Sequence, residues 1–189
     1  DRMGSEDKIT RLLLSGARRN PKRIVYAEAD HLDVLKAAQI VWDEGIGKPI
    51  LLGRRELILE LMDEIEFDPT DVEIIDPKSQ KQRAQREEYA KHLWEKKSRR
   101  GITYFDAKKL IRERNYFAAM MVETGDADAM LSGYSRAYPS VLKPILELIG
   151  KEKGVEKVAA TNLMNTSKGP IFIADTSINI EPTSNELAN

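Results

Sequence analysis

The sequence predicts a three-layer α/β domain, a sheet covered on both faces by helices. Strand signals and helix signals alternate along the chain, the pattern that produces this architecture. Turn-forming residues punctuate the junctions, with Gly45, Gly53, Gly101 and Gly133 each closing an element.

Taken in order, Lys8–Arg18 carries a helical stripe of Ile9, Leu12, Leu13 and Ala17, ended at Asn20-Pro21. Arg23–Ala27 reads as a strand rich in β-branched residues. Asp30 offers an N-cap to a helix built on Leu32, Leu35, Ala38, Ile40 and Trp42, which Gly45 stops. Pro49–Leu52 is a second strand, Arg54–Ile65 a helix, and Val72–Ile75 a third strand ended by Asp76-Pro77. A long helix is expected over Gln80–Arg100, with Gly101 as its cap. Thr103 and Asp106 form a capping box that opens the next helix, through Arg112. Asn115–Glu123 is strongly apolar and predicts a core helix. Ala127–Leu131 predicts a buried strand, and Ser140–Ile149 a helix that tolerates Pro144 only near its first turns. Val155–Ala160 and Ile171–Ala174 read as two further strands. Pro182–Glu186 starts a helix with the chain nearly at its end, so an element that completes the fold is expected beyond it.

Bulk properties narrow the function classes. The 189 residues contain no cysteine, which excludes a disulfide framework, a thiolate metal site and a cysteine nucleophile. With 30 basic against 31 acidic side chains, no global field favours nucleic acid. No apolar run is long enough to span a bilayer, and the first residues lack a signal core. The expectation is a cytoplasmic protein with neither nucleic-acid nor membrane partners.

The loops contain no dinucleotide-binding pattern. Gly45-Ile46-Gly47-Lys48 runs from helix to strand, whereas a phosphate cradle needs strand to helix, so it reads as a cap and a turn. His31 and His92 are isolated and predict no metal site. The stretch Thr124–Gly133 is more specific. A strand ending in Ser132-Gly133 places a hydroxyl and backbone amides at the carboxyl edge of the sheet, where ligand crevices form. Tyr134, Ser135 and Arg136 then lead to a helix start near Tyr138 or Ser140. This is either an anion site or an ordinary βα loop. The basic stretch from Lys78 to Arg100 reads as a solvated face with internal ion pairs.

Asn115–Met121 followed by Gly125-Asp126-Ala127-Asp128-Ala129-Met130-Leu131-Ser132-Gly133 resembles the phosphate acetyl/butyryl transferase family. Arg23–Gly53, with Glu28-Ala29-Asp30 and Leu35-Lys36-Ala37-Ala38, and the Arg100–Thr103 turn extend the resemblance over nearly the whole chain. Asp43–Leu51 and Ile171–Pro182 are similar to the branch found at the C-terminal end of large NADP-dependent malic enzymes.

The resemblance implies an isocitrate/isopropylmalate dehydrogenase-like fold with the cleft between two α/β lobes. Residues 1–150 correspond to the first lobe, and 151–189 to a truncated start of the second. In the family, a coenzyme A thiol attacks acyl phosphate, a carboxylate with a nearby serine serves as base, and arginines hold the phosphate. The base and its serine belong to a later segment, so no catalytic residue is expected here. Lys97 and Lys143 stand where phosphate-binding arginines are expected, and lysine keeps the charge but loses the two-pronged fit. The implied ligand-binding set is therefore Lys97, Ser132, Gly133, Tyr134, Ser135, Arg136 and Lys143. In the malic-enzyme branch the implied role is acetyl-coenzyme A sensing and homo-oligomer assembly, with the basic Lys78–Arg100 helix as the alternative support for the anionic coenzyme tail. An upstream malic-enzyme domain would hold NADP and Mg or Mn. The other class left open is a working phosphate acetyltransferase.

Overall fold

The computed structural model describes residues 5–155, 157–166, 169–174, 178–179 and 183–184. A first helix, α1 (Ser5–Arg19), precedes a compact unit spanning Asn20–Ile149. In that unit β1 (Lys22–Tyr26), α2 (Leu32–Asp43), β2 (Gly47–Leu52), α3 (Arg55–Glu64) and β3 (Glu73–Ile75) follow one another. Then come α4 (Arg83–Lys97), α5 (Tyr104–Leu110), α6 (Arg114–Thr124), β4 (Ala129–Leu131) and α7 (Tyr138–Leu148). The four strands form a parallel sheet in the order β3-β2-β1-β4. Register is fixed by pairs such as Tyr26 with Leu51 on one side and with Leu131 on the other.

Alternate residues of the strands feed two separate cores, as the two-residue period of a strand requires. Val25, Ala27, Ile50, Leu52 and Ile75 meet Tyr89 and Leu93 of α4, Ala107 of α5, the buried run Tyr116–Met121 of α6, and Leu148 of α7. Tyr26 and Leu51 point the opposite way, onto Leu35 and Ala38 of α2 and Ile58 and Met62 of α3. Two helical layers around one sheet make the three layers the sequence predicts. α6 is apolar nearly all round because it lies between the sheet and α4 and α7.

Several junctions follow the sequence reading. Gly45 takes φ 64° as α2 ends, and Gly101 takes φ 88° after α4. The Thr103–Asp106 capping box is formed, both reciprocal backbone bonds being 3.1 Å. Gly47 has a packing role: a Cβ there would lie 2.8 Å from Val41 Cγ1, so its absence lets α2 approach β2. The long helix over Gln80–Arg100 is instead α4 flanked by 3₁₀ turns at Gln80–Gln82 and Ser98–Arg100.

Four local expectations are corrected, the first being the buried strand: in β4 Ala129 and Leu131 are exposed and Met130 is half-buried. Asp30 does not cap α2, because its carboxylate is drawn into a two-pronged pair with Arg114, and His31 takes the N-cap position without a side-chain bond. α7 starts at Tyr138, so Pro144 lies well inside it. Proline has no N–H for the Ser140 carbonyl four residues earlier, and Asn115 Nδ2 lies 3.5 Å from that orphaned oxygen. No strand forms over the described part of Val155–Ala160. The hairpin pairs β5 (Thr161–Thr166) with β6 (Gly169–Ala174) instead, and the Thr166–Gly169 pair sets the register back to Thr161–Ala174.

α1 groups with that hairpin in a second compact unit that runs from Gly150 onward, whereas the sequence reading placed residues 1–150 in one lobe. The helix start expected at Pro182–Glu186 lies outside the described residues, apart from Thr183 and Ser184. No helix among the described residues is long and apolar enough to cross a membrane.

Phe117 is fully buried at the centre of the α6 core and packs against Tyr89, their ring centroids 5.1 Å apart. Phe117→Ala is expected to lower unfolding free energy by about 3–5 kcal/mol, measured by urea titration followed by circular dichroism.

Candidate functional site at the carboxyl edge of the sheet

Strand order reverses at β1, since β2 and β3 lie to one side of it and β4 to the other. Connections leave such a point in opposite directions and open a crevice at the carboxyl edge. Just past β1 the chain straddles that divide. Ala27 donates its N–H to Leu131 O of β4 at 3.0 Å, and Ala29 donates to Leu52 O of β2 at 3.2 Å. Glu28 stands between them, only 3% exposed.

The Glu28 carboxylate fills the loop that follows β4. Its Oε1 accepts from Gly133 N at 2.7 Å, Ser132 Oγ at 3.0 Å and Tyr134 N at 3.1 Å. Its Oε2 accepts from Ser135 N at 2.7 Å and from the Ser135 hydroxyl. Gly133 reaches the φ of 109° that this turn requires. Burial pushes the Glu28 pKa up, but the bonds from Ser135, Gly133 and Ser132 outweigh it and hold it at about 2. A carboxylate this weakly basic stays ionised at neutral pH and is a poor proton acceptor.

This arrangement changes the reading of the loop. The amides of Gly133, Tyr134 and Ser135, expected to be available to a bound anion, already hold an internal one. The hydroxyls of Ser132 and Ser135 are engaged with the same carboxylate, and Ser132 Oγ also lies 2.9 Å from Asn115 Oδ1. Tyr134 turns its side chain away, its hydroxyl on Asp33 and its ring 5.3 Å from that of His31. It borders a separate apolar hollow with Val34, Ala37 and Leu131.

Cations line the rest of the edge. A cleft of about 230 Å³ is bounded by Glu113, Arg114, Asn115, Arg136, Ser140 and Lys143 above Glu28. Arg114 also borders a neighbouring hollow of about 420 Å³ with Arg54, Lys78 and Arg112. Among the described residues no acid pairs with Arg136, whereas Lys143 Nζ lies 3.9 Å from Glu147. Glu147 in turn accepts from the Tyr116 hydroxyl at 2.6 Å. Cations beside the neutral donors Asn115 and Ser140 suit a phosphate or another compact anion, with Glu28 and Glu113 on the same wall opposing it.

Of the seven residues singled out from sequence, the structure brings Ser132, Gly133, Ser135, Arg136 and Lys143 to this edge. Lys97 does not line the cleft. It follows Tyr89 and Leu93 at four-residue spacing on the buried face of α4 and is 8% exposed. Burial lowers its pKa, with Arg100 adding to the effect and Glu147 opposing it. Glu28, Asn115 and Arg114 were missed as site residues. One signal existed for Glu28: a carboxylate between two alanines at the end of an apolar strand has to find donors, and a Ser-Gly loop supplies them.

The first half of the Gly125–Gly133 motif works at the opposite edge. Asp128 takes the Arg23 backbone N–H at 2.8 Å and its guanidinium at 3.0 Å. The same guanidinium donates to the carbonyls of Gly125 and Asp126, both at 2.8 Å, tying the approach to β4 onto β1. Asp126 accepts from the buried Tyr89 hydroxyl and, at 2.9 Å, from Thr124.

The phosphate acetyl/butaryl transferase family model matches residues 8–189. The chain belongs to that family. It is 35% identical over 182 residues to an NADP-dependent malic enzyme of Haemophilus influenzae, covering 94% of this chain and 24% of that protein. It is 33% identical over 188 residues to a phosphate acetyltransferase of Thermoanaerobacterium thermosaccharolyticum, covering 96% and 56%. A solved phosphotransacetylase from Staphylococcus aureus superposes with a TM-score of 0.85 at 24% identity, over 98% of this chain and 55% of that one, a likeness of fold. The chain thus spans about a quarter of the malic enzymes and about half of the acetyltransferases it matches. In this chain the Gly125–Gly133 stretch divides into a clamp at the amino edge and the Glu28-filled loop at the carboxyl edge.

Glu28 gives a pH signature. Its folded-state value of about 2 lies below the ordinary 4.5, so the native state binds this proton more weakly than the unfolded chain. The stabilisation is complete above pH 4.5 and is lost as pH falls toward 2, a span worth about 3 kcal/mol. Glu28→Gln should therefore be about 3 kcal/mol less stable than the parent at pH 7, with the gap closing toward pH 2, as read by urea unfolding across that range.

Proposed function

We propose that the chain is the C-terminal phosphotransacetylase-like module of an NADP-dependent malic enzyme, acting as an acetyl-coenzyme A-binding regulatory and assembly element. The parent enzyme would oxidatively decarboxylate malate to pyruvate in the cytoplasm. Its NADP and its Mg or Mn would be held by an upstream domain. Among the described residues, no three His, Asp or Glu side chains group as metal ligands.

The observation that carries this reading is the make-up of the carboxyl-edge cleft. Arg136 and Lys143 face it, but Lys97, at the other expected arginine position, is buried outside it. Two carboxylates line the cleft, Glu28 and Glu113; Glu28 is held ionised and donor-saturated by its loop, so it is a poor base for the coenzyme thiol. Binding of an anionic acyl-coenzyme A is supported by the cations, whereas Glu28 does not supply the base that turnover needs.

Calorimetry with acetyl-coenzyme A tests this. Binding is expected, with Arg136→Ala and Lys143→Ala each weakening it roughly tenfold through loss of one charged contact. No binding at millimolar ligand would sink the sensor reading. Coenzyme A-dependent consumption of acetyl phosphate by the chain would favour the alternative, a working phosphate acetyltransferase.

A further inference from the structure

A second concentration of positive charge lies between α4 and α5, joined through Arg112 to the hollow beside the carboxyl-edge cleft. Phe105, Lys108, Lys109 and Arg112 recur at the three- and four-residue spacing that puts them on one face of α5 and its C-terminal extension. Arg83 and Arg86 face them from the first turn of α4, and together these residues enclose a groove of about 490 Å³.

The groove is short of internal counter-charge. Its one lining carboxylate, Glu87, accepts the Tyr104 hydroxyl at 2.8 Å. Asp106 feels the charge of Lys109, and its Oδ2 accepts both the N–H and the hydroxyl of Thr103. Among the described residues Arg83, Lys108, Lys109 and Arg112 form no ion pair, and Lys108 sits 5.1 Å over the Tyr104 ring. Arg86 is held by bonds from Nη1 to the carbonyls of Pro77 and Ser79, so its orientation is fixed while, among the described residues, Nη2 and Nε have no acceptor. Burial lowers its pKa, and repulsion from Arg112 adds to the effect although Asp76 and Glu87 oppose it. Beside these cations Phe105 leaves 75% of its surface in water, an apolar ring of the kind on which bases stack.

We propose that this groove binds a nucleoside polyphosphate, with its phosphates among Arg83, Arg86, Lys108, Lys109 and Arg112 and its base against Phe105. A free nucleotide and the phosphate-rich adenosine end of a coenzyme share this chemistry. The inference does not depend on the function proposed for the carboxyl-edge cleft.

Calorimetry on the chain with ATP, inorganic tripolyphosphate and adenosine as probes tests it. ATP and tripolyphosphate should bind, with affinity falling as salt rises, and adenosine should not. Lys108→Ala/Lys109→Ala should weaken ATP by at least about tenfold. Phe105→Ala should weaken ATP about tenfold yet leave tripolyphosphate within about twofold. All three side chains are exposed, so thermal melts of these variants should match the parent. Arg136→Ala/Lys143→Ala should leave ATP binding intact, whatever it does to acetyl-coenzyme A. Absence of ATP binding, or insensitivity to the α5 changes, overturns the proposal, as does abolition by the Arg136/Lys143 pair. Displacement of ATP by coenzyme A would assign the groove to the coenzyme's adenosine end, and no displacement would assign it to a free nucleotide.

Discussion

The carboxylate of Glu28 joins the two halves of the switch point. Five donors from Ser132 to Ser135 converge on it, three of them backbone amides of an exposed turn that this acceptor holds in place. An ionised group this deep is tolerable only because every oxygen is solvated by protein. The exchange is mutual: the loop gains an anchor and the charge gains a shell. Arg136 follows directly and Lys143 lies one helix further, so the direction in which they face begins from this bond set.

A second connection runs from the same loop through Asn115. Its carbonyl side reaches Ser132, and its amide side lies near the carbonyl that Pro144 leaves without a partner in α7. Beside it, Arg114 pairs with Asp30 just past β1. The first turn of α6 is thereby bonded to Asp30 and to the β4 loop, and it lies against α7. The loop's shape is consequently a property of the whole carboxyl edge, and few residues in it can be changed in isolation.

The architecture was legible in the sequence because it rests on local periodicities. Alternating elements, the Thr103–Asp106 box and the glycine caps all depend on residues within a few positions of one another. The misreadings share a different cause. Asp30 looked like a cap until its partner 84 positions away was known. The Ser-Gly loop looked like an open anion nest because the carboxylate that fills it lies more than 100 positions earlier. Lys97 stood in a basic stretch that reads as a solvated face, yet it continues the Tyr89–Leu93 line into the core. The four-residue spacing was visible, but which face of α4 the sheet would cover was not.

Ala27 and Ala29 flank Glu28, and each is fully buried, one in the core beneath α6 and the other in the core beneath α2. Two methyl groups therefore set the height of the charge above the sheet from both sides at once. A larger residue at either place would overpack one core, at about 1–3 kcal/mol, and displace the carboxylate as well. Arg136 and Lys143, by contrast, rise from the surface and can be exchanged without disturbing either core. Divergence in such a scaffold is thus uneven: ligand preference can drift residue by residue along the rim, while the Ala-Glu-Ala step beneath it can change only in concert.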